Sequence, residues 1–137
     1  MSNSARCATQ ADPISPRLLR AYRLTRYRAA GCDIVIGRRV PDALLRRLCA
    51  RSATLVTAWN PRSRRMPDGW NRRMQQQLRQ RLRRATVVDA VGSLKGWHEK
   101  MLLAAGDLRP CIGLAVRFQQ RAVVILHQGQ KARLRFL

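Results

Sequence analysis

Residues 54–59, Thr-Leu-Val-Thr-Ala-Trp, form a nearly continuous apolar run that Asn60-Pro61 brings to a stop. A run this short and this apolar suits a strand covered on both faces. Proline sets its end, because it restricts the residue before it and has no N–H to offer a ladder. A chain built on such a strand needs layers on both sides of a sheet, so this segment is the expected middle of the fold. Beyond the break, nine arginines and a single acid, Asp68, fall between Arg62 and Arg84. The end of the strand therefore meets the most basic part of the molecule.

The flanking pattern supplies the other layers. Ser15-Pro16 reads as an N-cap followed by proline at the first helical position, opening a short helix over 16–21. Residues 22–27 alternate and are rich in strand formers, and 33–37 pair back on them across Gly31. Pro41-Asp42 opens a helix to about 51, with Leu44, Leu45 and Leu48 on one side and Arg46, Arg47 and Arg51 on the other. A helix over about 69–84 aligns Trp70, Met74, Leu78 and Leu82 inward and turns Arg72, Arg73, Arg79, Arg83 and Arg84 outward. Residues 86–91 read as a strand, 92–96 as a loop and 100–104 as a short strand. Asp107 caps a helix through about 119, and 121–126 with 132–136 form a closing hairpin.

The expected fold is thus α+β: a mixed, mostly antiparallel sheet of about six to seven strands flanked by helices. It occupies 15–137 as one domain, after a disordered tail over 1–14 that is small, polar and without periodicity. A chain of 137 residues has room for one such core.

Charge dominates the composition. Twenty-eight Lys and Arg against seven Asp and Glu leave a net +21, which draws polyanions and opposes self-association. Arginine outnumbers lysine 25 to 3; drift of Lys to Arg in a GC-rich genome explains that choice of base but not the scarcity of acids. Cys7, Cys32, Cys49 and Cys111 form no C-x-x-C pair and have no histidine at ligand spacing, so no zinc site and no cofactor is expected. Cys49 and Cys111 sit in apolar helical patterns as small hydrophobes. With no apolar signal-peptide core and no eighteen-residue apolar run, the reading is a reduced cytoplasmic protein without a membrane partner.

Two sets of residues carry chemistry. Asn60, Ser63, Asn71 and Glu99 are the candidate lining of a ligand pocket at the end of the strand, where sheets commonly place ligands. The plainer alternative has Asn60 bonding its own loop and Glu99 paired with an arginine. Arg62, Arg64, Arg65, Arg72, Arg73, Arg79 and Arg83 make a basic face able to follow a phosphate backbone. His98 beside Glu99 is a poor catalytic pair, because neighbours on a strand point to opposite faces. No nucleophile-elbow, phosphate-loop or zincin motif is present.

Thr57-Ala58-Trp59-Asn60-Pro61, the later Gly96-Trp97-His98-Glu99 and Phe118-Gln119-Gln120-Arg121-Ala122-Val123-Val124 together resemble the bacterial domain-of-unknown-function family numbered 3293. The resemblance covers residues 22–137 and places Thr57, Asn60, Pro61, Asn71, Trp97, Glu99, Phe118 and Gln119 on the family pattern. It carries no activity over. The chain departs from the pattern at Met101, where the family has serine, and at Met74, where it often has arginine. The preferred functional reading is a non-catalytic protein that binds nucleic acid or another polyanion through arginine. The alternatives are a small-ligand binder or enzyme acting on an anionic substrate held by Asn60, Asn71, Glu99 and Arg62, and a protein-interaction module.

Overall fold

The computed structural model describes residues 14–137; the expected tail over 1–14 falls almost wholly outside them, as does Cys7. Seven strands form one sheet in the order β2-β1-β4-β5-β3-β6-β7, and every pair is antiparallel. They are β1 (Arg26–Ala29), β2 (Cys32–Ile34), β3 (Ser52–Val56), β4 (Val87–Leu94), β5 (Trp97–Ala105), β6 (Ala122–His127) and β7 (Arg133–Phe136). Four helices accompany them: α1 (Pro16–Leu24), α2 (Asp42–Arg47), α3 (Asp68–Arg81) and α4 (Leu108–Arg117). This is the α+β single domain that the sequence pattern implies.

Strand alternation sorts the core into two layers. Ala53, Leu55, Met101, Leu103, Val124 and Leu126 face α2, whose Leu44, Leu45 and Leu48 close that side. Val56, Leu102, Ala104, Val123 and Ile125 face the other way, onto Leu78 and Leu82 of α3 and Cys111 and Ala115 of α4. The sheet is therefore buried on both faces in its middle, as the apolar run of β3 requires.

Several boundaries differ from expectation, each for a local reason. The helix begun by Ser15, whose side chain accepts from the Leu18 N–H at 3.1 Å, continues through Leu24, so the expected strand at 22–27 starts only at Arg26. The middle of the sheet is β5, the longest strand, with β3 beside it. The expected loop at 92–96 is mostly strand: β4 and β5 pair from Val87↔Ala104 to Leu94↔Trp97, leaving Lys95-Gly96 as a two-residue turn with positive φ at both. Gly92 lies inside that hairpin because the Tyr27 ring crosses it; a Cβ there would meet the ring and Met101 Sδ at 3.3 Å. Cys49 is exposed at φ 51 just past α2 rather than packed on it, whereas Cys111 is buried.

Helix α3 holds the most consequential difference. Its buried stripe is Asn71, Gln75, Leu78 and Leu82, and Trp70 and Met74 are only half-buried. The first half of the inward face is thus polar. That polarity is what meets the end of β3.

Candidate functional site

Strand β3 ends at Val56, and the next four residues stay buried although they leave the sheet. The Thr57 hydroxyl donates to the Lys100 carbonyl at 2.7 Å and accepts from the Trp59 N–H at 3.0 Å. Gln75 Oε1 accepts from the Ala58 N–H at 2.9 Å, so α3 supplies the ladder partner that the sheet no longer offers. Gln75 Nε2 is buried with no partner among the described residues.

Asn60 then turns the chain into a single 3₁₀ turn, Pro61–Ser63. Asn60, Arg62 and Ser63 all have positive φ (46°, 56° and 58°), a left-handed backbone that asparagine tolerates but arginine and serine rarely adopt. Such conformations persist only where surrounding bonds over-determine them. Here they do. The Asn60 N–H donates to Asn71 Oδ1 at 2.9 Å, and Asn71 Nδ2 donates to Asn60 Oδ1 at 2.8 Å and to the Met66 carbonyl at 3.2 Å. The Met66 N–H also donates to Asn60 Oδ1, at 2.9 Å. From the α4–β6 connection, the Gln119 carbonyl accepts from the Arg62 N–H, Gln120 Nε2 donates to the Trp59 carbonyl, and Arg121 Nε donates to the Arg62 carbonyl.

The remaining arm of Asn60 reaches the sheet. Asn60 Nδ2 donates to Glu99 Oε1 at 3.1 Å, and Trp97 Nε1 donates to the same oxygen at 3.3 Å. Arg65 lies over the Trp97 ring, 5.6 Å from its centroid, and covers the outer side. The four ion pairs among the described residues lie elsewhere: Arg28–Asp33, Arg39–Asp42, Arg79–Asp89 and Arg109–Asp107. Burial pushes the Glu99 carboxyl above its ordinary range, and the bonds from Asn60 and Trp97 offset that only in part.

Glu99 shares the alternation of Met101 and Leu103, which puts it on the same face as α2 and under α1. There a cavity of about 600 Å³ opens between α1 and the sheet. Its polar lining is Thr57, Asn60, Ser63, Glu99 and Gln120 with Tyr22; Tyr27, Met101, Val124 and Leu134 give it an apolar floor. Leu18, Ala21 and Tyr22 of α1 form the roof, and Arg17 and Lys95 also line it. Helix α1 is strongly amphipathic yet has no fully buried residue, because its apolar face overhangs the cavity, where Leu18, Ala21 and Tyr22 are half-buried. Burial raises the Tyr22 phenol, the Ser63 hydroxyl beside it lowers it, and the Glu99 charge raises it again. Tyr27 is raised too, mainly by burial and further by Tyr22 and Glu99.

Of the residues expected in a pocket, Asn60, Ser63 and Glu99 line this cavity, and Asn71 stands behind Asn60 at 1 % exposure. Arg62, expected to hold an anionic substrate, is exposed with its main chain tied into the turn, and it is not among the residues lining this cavity, where Arg17 and Lys95 are the cations. His98 is exposed and bonded to Ser93 across the hairpin. Tyr22, Gln75 and Gln120 were not foreseen. For Gln75 a signal existed, since 71, 75, 78 and 82 follow helical spacing.

The basic residues do not gather on one side. Every described arginine except Arg121 is exposed, and they occur on α1 and α2 over one face of the sheet, on α3 and α4 over the other, and on strand β1 and the edge strand β7. Arg64, Arg65, Arg72, Arg73 and Arg83 are exposed near or along α3, and Arg79 is paired with Asp89. Among the described residues no cluster of three His, Cys, Asp or Glu is placed to hold a metal, and no helix is long and apolar enough to cross a membrane.

Residues 56–123 match the model of the family described as "Protein of unknown function (DUF3293)". The chain belongs to this family. The DUF3293 segment runs from the last residue of β3 into β6, a shorter stretch than the resemblance over 22–137, and it contains Thr57, Asn60, Asn71, Gln75, Glu99 and Gln120. The roof helix α1 lies outside it. No curated protein and no solved structure matches the chain.

Proposed function

We propose that this chain binds a small molecule in the cavity beneath α1, with Asn60, Glu99 and Thr57 as the polar groups that orient it and Asn71 as the residue that positions Asn60. One observation carries the reading. A carboxyl group with no ion pair among the described residues is held by Asn60 and Trp97 at the wall of a mostly apolar cavity of about 600 Å³. Natural ligand sites have this make-up: concave, largely apolar, with a few fixed polar groups. The strained turn supports it as well, since positive-φ residues cluster where a site has to be pre-organised.

Native mass spectrometry after incubation with a desalted metabolite extract tests the reading. Ala21→Trp fills the roof, and no side chain of α1 is fully buried in the core, so this variant is expected to fold. Ala21→Leu gives a smaller filling. The wild type should retain small-molecule mass that Ala21→Leu reduces and Ala21→Trp abolishes. Retention equal in all three, or in none, contradicts the proposal.

A second reading, association with nucleic acid or another polyanion, is supported by the net +21 and by the exposure of nearly all arginines. If about six phosphates are contacted, affinity for a single-stranded oligonucleotide falls by orders of magnitude between low and moderate salt. A flat salt profile contradicts it.

A further inference from the structure

We infer that the ligand presents an N–H donor head, an amine or amidine-like group, to Glu99 and lays an apolar body along Tyr22, Tyr27 and Met101. This rests on the proposed small-molecule site and names the class of molecule that fits it.

The argument begins with the two oxygens of Glu99. Both protein donors, Asn60 Nδ2 at 3.1 Å and Trp97 Nε1 at 3.3 Å, go to Oε1, and no described residue donates to Oε2. A carboxylate has about four acceptor sites, and Oε2 is not among the buried atoms left without a partner, so its free sites are open to whatever occupies the cavity. The cavity is where the missing donors can come from. The other ionisable groups deep in it, Tyr22 and Tyr27, become negative or stay neutral and never supply a positive charge. Asn60 spends one N–H of its amide on Glu99 and its oxygen accepts from Asn71 and Met66; its second N–H can donate to a ligand but brings no charge. An anionic head against Glu99 would meet like charge, whereas a cationic head completes the pair.

This preference runs against the charge of the whole protein, which makes it discriminating. A net +21 together with Arg17 and Lys95 in the lining favours anions everywhere else. At physiological ionic strength the general field fades over about 8 Å, while a contact inside the cavity is screened far less. Ligand selection at Glu99 is therefore set by the local carboxyl.

Tryptamine and indole-3-acetate share one apolar body and differ in the sign of the head, so their binding can be compared by isothermal titration calorimetry in 0.15 M salt at pH 7.5. Tryptamine should bind the wild type at least tenfold more tightly than indole-3-acetate. Glu99→Gln, which keeps the acceptor for Asn60 and Trp97, should erase that preference, and Ala21→Trp should abolish binding of both. Indole-3-acetate binding as tightly as tryptamine, and lost in Ala21→Trp, overturns the donor-head assignment and leaves the small-molecule site standing. A tryptamine preference that survives Glu99→Gln also overturns it. If neither compound binds, the assignment fails for a body of this size, and the small-molecule site is then judged by the retained-mass measurement alone.

Discussion

Asn60 and Asn71 exchange two hydrogen bonds: the Asn60 N–H donates to Asn71 Oδ1 at 2.9 Å, and Asn71 Nδ2 donates to Asn60 Oδ1 at 2.8 Å. The pair joins the end of the β3 run to α3 and fixes the amide that Asn60 extends to Glu99. Asn71→Ala leaves the Asn60 N–H and the Met66 carbonyl without their partner in a buried setting. Each such loss costs about 1–3 kcal/mol, so the substitution should destabilise by roughly 2–4 kcal/mol in urea unfolding. A change under about 0.5 kcal/mol would mean that water replaces Asn71 without penalty.

The raised Glu99 carboxyl gives a signed pH effect. Its folded pKa lies above the unfolded value of about 4.3, so the stability it contributes is complete below that value and is lost as pH climbs through the folded pKa. Glu99→Gln keeps the acceptor and removes the titration. The variant should match the wild type near pH 4 and melt a few degrees higher near pH 8. A wild type that is the more stable protein at pH 8 would indicate an ion pair at Glu99 and contradict the geometry. A carboxyl kept at the expense of stability is what a binding role predicts.

Gln75 makes a separable test of how the strand end is held. Gln75→Met retains length and removes the acceptor for the buried Ala58 N–H. The loss of that bond costs about 1–3 kcal/mol, and removing the unpartnered Nε2 offsets part of it, so the net should fall at the lower end. Amide exchange at Ala58 should accelerate with it. Unchanged protection at Ala58 would show that the bond does not hold the segment.

Much of this architecture was legible in the chain, and the parts that were not share a physical cause. The closing hairpin, the Asp107-capped helix and the stop at Asn60-Pro61 rest on local chemistry, and each stands within a few residues of its expected place. Residues 22–25 also alternate plausibly as strand, and only the continued helix from Ser15 decides them. Likewise Gly92 suggests a loop until Tyr27 is seen lying across it. On α3, reading apolarity alone selects Trp70 and Met74; the buried neighbours Asn71 and Gln75 are polar because they serve the chain end next to them. Asn60 and Glu99 were identifiable from motif order, whereas the roof contributed by Tyr22 depends on where α1 lies over the sheet.

The two functional readings separate by substitution. Arg72, Arg73 and Arg83 are exposed and free of the four ion pairs, unlike Arg79. Changing these three to Gln should lower the slope of log affinity against log salt by up to about 2–3 for a polyanion, since each phosphate contact contributes roughly 0.7–0.9. The same triple variant should leave retention of a small molecule unchanged, and Asn60→Ala should do the reverse. A single variant that removes both activities would mean that one surface serves them.

The central claim, that ligand enters between α1 and the Asn60–Glu99 contact, is tested most directly by amide and indole NMR shifts while tryptamine is added. The account predicts shifts at the Trp97 indole N–H, the Asn60 side-chain amide and the α1 backbone from Leu18 to Tyr22, with the outer face of α3 unmoved. Shifts confined to Arg72, Arg73 and Arg83, with the Trp97 and Asn60 signals in place, would contradict it.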